Sequence, residues 1–145
     1  MILDQISEKW DGDLSLISTA GRLFAGEVPE FDEDGVEVTL PYTYCEVGST
    51  SFLYYLADTY FESTEVTFHC YTVGMKKAQE AVRKIKDTFA WIESLNFNDT
   101  TSSLFSCRPL NTQVTSQYLR DKSGNPVYRG TLSLLFTINR TDSNA

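Results

Sequence analysis

The sequence predicts a single α+β domain over residues 1–145, in which two helices pack on an antiparallel-rich sheet of four strands. Three observations predict this class. A chain of 145 residues suits one hydrophobic core. One strongly amphipathic helix lies near the middle of the chain, and strand-like segments flank it on both sides. The last two of these segments enclose a dense turn signal, so the expected order of elements is α-β-β-α-β-β.

The first element is an amphipathic helix over residues 1–18. Its apolar residues recur mostly at spacings of three and four and form one stripe: Ile2, Leu3, Ile6, Trp10, Leu14 and Ile17. Gly12, between two aspartates, is a candidate break in that helix. The segment Arg22–Ala25 lies between two glycines and is interpreted as a brief extended piece or a turn. Residues 30–37 then form an acidic loop.

Two strands are expected next. Residues 40–47 are rich in aromatic and β-favouring residues, and Pro41 indicates a strand start or a sheet edge. Residues 65–72 alternate between a more apolar and a more polar set, which is typical of a strand. Between these two strands, residues 51–60 fit either a helical turn or the arm of a long hairpin.

The strongest helix signal runs from about Met75 to Leu95. Its apolar stripe repeats at three- and four-residue spacing, whereas the lysines and the arginine of the segment lie off that stripe. A loop is expected over residues 96–106. Strands over 109–119 and 127–139 enclose the turn signal and should pair as a hairpin.

Composition and charge exclude several classes of protein. With 41% hydrophobic and 13% aromatic residues, the chain is not a disordered acidic tail. No stretch approaches the roughly 20 apolar residues of a membrane span, and the acidic N-terminus lacks the features of a secretory signal. The formal net charge of -8 disfavours the neutralisation of phosphates. We therefore expect no membrane partner and no sequence-specific nucleic-acid partner.

The charge is divided unevenly along the chain. Residues 1–65 hold 14 acidic and two basic residues, a net charge of -12, whereas residues 66–145 hold six acidic and ten basic residues, a net charge of +4. Opposite charges on two different surfaces would attract copies of the chain to one another. The alternative is that both halves mix on one folded surface, and the sequence leaves both interpretations open.

A catalytic site is not expected, and neither is a cofactor. The chain has one histidine, His69, and its neighbour Cys70 points to the opposite face of a strand, so the two cannot form a dyad. We interpret His69 as a solvent-facing strand residue. Cys45, Cys70 and Cys107 form no CxxC pair and are expected to be reduced structural thiols. A hydrolase or thiol enzyme that combines one of the cysteines with His69 stays open as a further hypothesis.

A metal site is not expected either. Glu30, Asp32, Asp34 and Gly35 match positions 1, 3, 5 and 6 of a calcium-binding loop. Pro41, however, stands at position 12, where the pattern needs a bidentate glutamate. A solvated acidic loop is therefore the preferred interpretation.

The run from Phe52 to Leu56 fits neither strand alternation nor a one-sided helix. Five large apolar or aromatic residues in a row are either buried or form a surface for another subunit. This run, the acidic loop and the basic helix supply the candidate interface residues: Asp32, Glu33, Asp34, Phe52, Leu53, Tyr54, Tyr55, Lys76, Lys77, Arg83 and Lys84.

The order and content of these segments resemble one known family. After the first helix come a Gly-Arg-Leu-Phe segment (21–24) with Pro29, a Pro-Tyr-Thr-Tyr strand (41–44), a Val-Thr-Phe-His-Cys-Tyr strand (66–71), the helix with Ala78–Ile85, and a closing Tyr-Arg-Gly-Thr-Leu segment (128–132). Over about residues 1–140, the chain is similar to the tail-completion or tail-terminator (head–tail joining) proteins of long-tailed bacteriophages and prophages. The Phe52–Leu56 run and the Asn96–Ser106 loop depart from that pattern.

The resemblance implies a non-catalytic virion assembly protein. Members of this family form rings, commonly hexamers, that cap the tail tube and dock to the head. It therefore implies that the chain binds copies of itself, the tail-tube protein and the head-connector protein. It also implies a location in the host bacterial cytoplasm during assembly and then in the tail or neck of the virion. The alternative is a cellular adaptor or small-ligand-binding α+β domain that uses the Phe52–Leu56 surface.

Overall fold

The computed structural model describes residues 2–30, 33–55, 58–90, 95, 102–121 and 123–141, with the backbone alone at 105 and 117–119. Three helices and five strands lie within these ranges. In chain order they are α1 (Ile2–Asp11), α2 (Leu14–Ala20), β1 (Arg22–Ala25), β2 (Tyr42–Tyr54), β3 (Thr59–Val73), α3 (Met75–Phe89), β4 (Ser102–Arg120) and β5 (Pro126–Thr141).

The strands form one mixed sheet in the order β1-β2-β3-β5-β4. β1 pairs with β2 in parallel, and the other neighbouring pairs are antiparallel. The prediction of an α+β fold with a four-stranded antiparallel-rich sheet and two helices is therefore wrong. The described part of the chain is mostly β, with five strands in a mixed sheet and three helices.

Two local features explain this correction. β1 has only four residues, which is too short a segment for side-chain alternation to be recognised, and a long connection returns the chain to its parallel neighbour β2. The expected helix over residues 1–18 is divided in two because Asp13 caps α2. Its side chain accepts a hydrogen bond from the backbone N–H of Leu16 at 3.0 Å.

Several element-level predictions agree with the structure. The ambiguous segment 51–60 belongs to a long hairpin, since β2 continues to Tyr54 and β3 begins at Thr59. The final hairpin is confirmed, because β4 and β5 pair antiparallel. α3 begins at Met75 as predicted and ends at Phe89, and most of the predicted continuation to residue 95 lies outside the described residues. β4 begins at Ser102, so the predicted loop at 96–106 is a strand in its last five residues, and residues 96–101 are not described.

The core lies between the helices and one face of the sheet. The even-numbered residues of β3 from Thr64 to Thr72 are buried on that face. Trp10 of α1, Phe68 of β3 and Phe89 of α3 stack on one another, with ring centroids 5.8–6.3 Å apart. The indole N–H of Trp10 donates to the backbone oxygen of Gly21 at 2.9 Å, which satisfies its polar atom inside the core.

The helices are arranged in order across this face. α3 packs against β3, β5 and β4, α2 lies beside α3, and α1 contacts α2 and β1. The close approach of α3 depends on Gly130 in β5, where a Cβ atom would lie 2.5 Å from Cγ2 of Val82 and 3.0 Å from the backbone oxygen of Ala78. The helical layer therefore runs from α1 on the β1 side of the sheet to α3 on the β4 side.

Candidate interaction surfaces

The far end of the β2–β3 hairpin exposes a concentration of large apolar side chains. β2 pairs with β1 only from Tyr42 to Cys45, so β2 continues beyond the end of β1. Four consecutive residues at the tip are exposed: Phe52 by 56%, Leu53 by 66%, Tyr54 by 64% and Tyr55 by 47%. We call residues 50–55 and 59–62 the distal arm. The sequence left open whether the Phe52–Leu56 run is buried or forms an exposed surface, and these four residues are exposed. Leu56 lies outside the described residues.

Both faces of the distal arm are aromatic. On the face that continues the core side, Tyr60 lies 5.9 Å from Phe52 and 4.9 Å from Tyr54 between ring centroids. On the other face, Tyr55 stacks on Phe61 at 4.9 Å, and Leu53 is the cross-strand partner of Phe61. A partner that bound around the arm would therefore contact apolar side chains on both faces.

Cross-strand contacts fix the arm to the rest of the sheet. Arg140 of β5 forms an ion pair with Glu62 of β3, and its Nη1 donates to Oγ of Ser102 in β4 at 2.9 Å. The hydroxyl of Tyr55 donates to Oδ1 of Asn139 at 2.9 Å. These contacts tie the tip to β5 and β4, so the apolar surface is preorganised before any partner arrives.

The charged candidates occupy three separate places. Arg22 Nη2 on β1 binds both carboxylate oxygens of Glu33 at 2.8 and 2.9 Å, which holds the acidic loop against β1. Asp34 is exposed in the same loop, and Asp32 lies outside the described residues. Lys77 and Lys84 of α3 face α2, since Lys77 lines a hollow with Ser18 and Thr19 of α2, and Lys84 lines another with Asp13 at its start. At 100° per residue, Lys76 and Arg83 lie on the face of α3 opposite to its buried residues. The structure therefore does not bring the predicted interface residues together in one patch.

A cluster of aromatic rings on the helix-free face of the sheet was not predicted. His69 stacks on Tyr44 with ring centroids 4.6 Å apart, and Tyr71 lies 5.4 Å from Tyr42 and 6.0 Å from Tyr44. Burial, together with a hydrogen bond to Tyr71, raises the pKa of Tyr44 to about 12. Alternation along each strand predicts that Tyr42 shares a face with Tyr44, and His69 with Tyr71. Only the register of β2 against β3 shows that these two pairs lie on the same face of the sheet.

His69 is less exposed than predicted. Its side chain is 13% exposed, with Nε2 3.3 Å from Oε2 of Glu46 and Nδ1 3.3 Å from Oγ1 of Thr131. The expectation of a solvent-facing histidine is therefore corrected: His69 lies on the helix-free face of the sheet, but its side chain is largely buried and stacks on Tyr44. Its ring hydrogen-bonds across the sheet on the face away from the core.

The three cysteines lie on the core face, opposite to His69. Their cross-strand partners include Phe68 for Cys45, Gly130 for Cys70 and Phe136 for Cys107. All three are free thiols, and burial raises the pKa of Cys45 and Cys70 to about 11 and that of Cys107 to about 12. Thiols protonated at neutral pH and separated from the histidine by the sheet lack the arrangement of a thiol nucleophile.

A hollow of about 410 Å³ opens at the start of β2, lined by Leu40, Tyr42, Tyr71 and Val127 with Arg120 at its rim. Within the described ranges, no group of three or more His, Cys, Asp or Glu side chains is arranged to hold a metal ion. Among the described helices, none has the length and apolarity that crossing a membrane requires.

Comparison with known proteins identifies a similar fold but no family. No protein-family model matches the sequence, and no curated protein matches it. A solved structure that it resembles is a chain of the virion of a native gene transfer agent particle. The TM-score is 0.59 at 15% sequence identity, over 94% of this chain and 92% of that chain. The two chains therefore share their fold over almost their whole lengths.

Proposed function

We propose that the chain is a non-catalytic virion assembly protein of a phage-like particle, a ring-forming tail terminator or head–tail joining subunit. The observation that carries this proposal is the distal arm, with Phe52, Leu53, Tyr54 and Tyr55 exposed on a hairpin end that side-chain contacts join to β5. The fold shared with a virion chain of a gene transfer agent supports the kind of particle. The sequence resemblance described above supports the place of the subunit within it.

An assembly role explains why the arm is built as it is. A contiguous exposed apolar surface on a folded domain usually marks a contact with another macromolecule. The arm is held by Glu62, Arg140 and Asn139, so binding needs little further ordering of the tip. In the proposed particle the arm docks on the tail-tube or head-connector protein, and the rest of the subunit joins its own copies.

The proposed role needs no catalytic group. The thiols and His69 are separated by the sheet, as described above, and the aromatic cluster beside His69 is a packed surface. A ring of subunits that each carry a formal charge of -8 would also bind the phosphates of passing DNA weakly. The proposed sites of action are the host bacterial cytoplasm during assembly and then the tail or neck of the particle.

The oligomeric state of the purified chain tests the ring. Light scattering after size exclusion, over a range of protein and salt concentrations, should give one closed oligomer, and negative-stain images should show rings of a single size. A strict monomer under every condition would contradict the proposed function.

A second experiment tests the arm. The double substitution Phe52→Ser and Leu53→Ser should leave the ring intact, because neither side chain belongs to the core. It should, however, prevent the assembly of particles when it is introduced into the phage-like genome that encodes the chain. Unattached heads and tails of irregular length are the expected products. The matched control is Leu14→Ser on α2, which removes the most exposed large apolar side chain among the described residues outside the arm (81% exposed) and should assemble normally. Normal assembly of the arm variant would overturn the role given to the arm.

The adaptor alternative makes a different prediction. A small-ligand site needs a concave surface, and the hollow beside Tyr42 lies at the end of these strands away from the arm. If the chain were a cellular adaptor, loss of the arm would leave particle assembly unaffected. The experiment on Phe52 and Leu53 therefore separates the two functions.

A further inference from the structure

One edge of β2 is left unpaired along the distal arm. In the sheet, β2 lies between β1 and β3, but its pairing with β1 ends at Cys45. From Glu46 to Tyr54, β2 pairs with β3 alone, and every residue of this stretch is exposed. Among the described strands, none extends the sheet on the other side of the arm. The sheet therefore ends there at a free strand edge.

The pattern of hydrogen bonds in the hairpin shows which main-chain groups point out of this edge. The N–H of Tyr55 donates to the backbone oxygen of Thr59 at 3.2 Å, which makes these two residues a hydrogen-bonded pair. In an antiparallel ladder, such pairs alternate with pairs whose N–H and C=O groups point away from each other. By the register of the hairpin, Thr50, Phe52 and Tyr54 are of the second kind. We call the outward N–H and C=O groups of these three residues the open edge.

The other edges of the sheet are protected against pairing with a further strand. β1 has only four residues, and the ladder of β4 is interrupted at three places and contains Pro109, which has no N–H to donate. Short edge strands, bulges and proline are features by which proteins prevent such pairing. The arm lacks these features, since its ladder is regular from Thr50 to Tyr54 and residues 47–55 include no proline and no charged residue. Among the described edges, this one is suited to strand addition.

We propose that the distal arm binds the tail-tube protein by strand addition, so that an extended segment of that protein pairs with β2 along the open edge. This inference rests on the proposed function and deepens it, since it states how the arm docks and on which protein. Main-chain hydrogen bonds to an unpaired edge supply affinity, and side chains on the two faces supply specificity. Because Phe52 and Leu53 are exposed on opposite faces of the arm, the segment that fits is uncharged and apolar on both faces.

The tail tube fits the open edge better than a second copy of the chain does. A second copy offers only the short β1 and the interrupted β4 as further edges. Two open edges that paired with each other would form a two-fold contact, which closes after two copies. A tail tube is a polymer, and until it is capped each subunit at its end exposes the surface that binds the next subunit. A ring of arms meets this repeated surface with one open edge per subunit.

The substitution Thr50→Pro tests the main-chain contact, and Thr50→Ala is its matched control. Both remove the hydrogen bond of 3.1 Å between the hydroxyls of Thr50 and Thr64. Only proline also removes an N–H of the open edge, and a proline whose missing N–H faces solvent is tolerated in an edge strand. Binding of each purified ring is measured by cosedimentation with tails assembled in the absence of the chain. Thr50→Ala should bind like the wild type, whereas Thr50→Pro should bind at least about tenfold more weakly.

Hydrogen exchange of the wild-type ring gives an independent readout, which stays valid if proline disturbs the hairpin. The amides of Thr50, Phe52 and Tyr54 should exchange quickly in the free ring, and at least about tenfold more slowly in the tail-bound ring. The amides of Ser51 and Leu53 should be protected in both states, because they point to β3. Circular dichroism checks that both Thr50 variants are folded.

Three kinds of result would overturn the inference. Equal tail binding by the two folded Thr50 variants, or fast exchange at the open edge of the tail-bound ring, would each show that the arm docks by side chains. Loss of ring formation in Thr50→Pro alone would assign the open edge to a second copy. Slowed exchange on purified heads but not on tails would assign it to the head-connector protein. In each case the wild-type ring still stands, whereas a monomeric wild type overturns the proposed function itself.

Discussion

The two ends of the β2–β3 hairpin are built from similar residues but differ in how far these residues are buried. At the end that begins with Tyr42, the helices cover one face, and Cys45, Val66 and Phe68 are fully buried. At the other end the same strands continue past β1, and Phe52 to Tyr55 are exposed. Whether an aromatic side chain of this hairpin is buried or exposed is therefore decided by the position of the helices and not by the strand sequence.

The largest expected effect comes from exchanging one phenylalanine at each end for alanine. Phe68→Ala removes a ring packed between Trp10 and Phe89, and should lower the free energy of unfolding by about 3–5 kcal/mol. Phe52→Ala removes an exposed ring and should cost under about 1 kcal/mol. Urea denaturation of both variants measures the difference. Equal losses would show that the distal arm belongs to the folding core.

A smaller effect is expected at the contact between α3 and β5. Gly130→Ala places a methyl group 2.5 Å from Cγ2 of Val82, so α3 must shift, at a cost of about 1–3 kcal/mol. Adding Val82→Ala removes the clashing atom, and the double variant should be more stable than the sum of the single losses predicts. The control is Gly48→Ala near the arm, where the nearest atom is 3.4 Å away and little change is expected. Additive losses in urea denaturation would contradict this packing.

The parts of the fold that sequence patterns predicted are those with a long, regular period. α3 and the β4–β5 hairpin were expected because their periodicity extends over many residues. β1 was interpreted only as an extended piece or a turn, since four residues carry too little pattern and its parallel pairing depends on a partner 20 residues further along the chain. The predicted number of strands and the predicted antiparallel-rich sheet were wrong because this strand was not recognised.

The candidate surfaces were predicted in composition but not in arrangement. The run at Phe52–Leu56 was singled out because it fits no single-faced pattern, and the structure explains this by exposure of both faces of the arm. The cations of α3 were grouped as one set, but helical geometry divides them between the flank beside α2 and the solvent face. The aromatic cluster of His69 and three tyrosines needed the register of two strands, which no local pattern encodes.

The smallest expected effect is an alkaline loss of stability that originates at the covered end of the hairpin. Burial raises the pKa of Cys45 and Cys70 to about 11, above their ordinary value near 9. The folded protein therefore keeps protons that the unfolded chain releases, so the stabilisation is complete below pH 9 and is lost as the pH rises through 11. At pH 9 the loss should be only a few tenths of a kcal/mol per thiol, increasing steadily above it. Burial also raises the pKa of Tyr42 and Tyr44, which act in the same direction at higher pH.

The double variant Cys45→Ala and Cys70→Ala identifies the source of this loss. Urea midpoints between pH 7.5 and 10.5 should fall less steeply for the variant than for the wild type, whatever its stability at neutral pH. A thiol reagent at pH 8 should modify the folded wild type slowly and the urea-unfolded chain quickly, because thiolate is scarce in the folded core. If the urea midpoints of the two proteins fell in parallel as the pH rises, groups other than these thiols would cause the alkaline loss of stability. The buried thiols would then not contribute to the difference between the covered and the exposed ends of the hairpin.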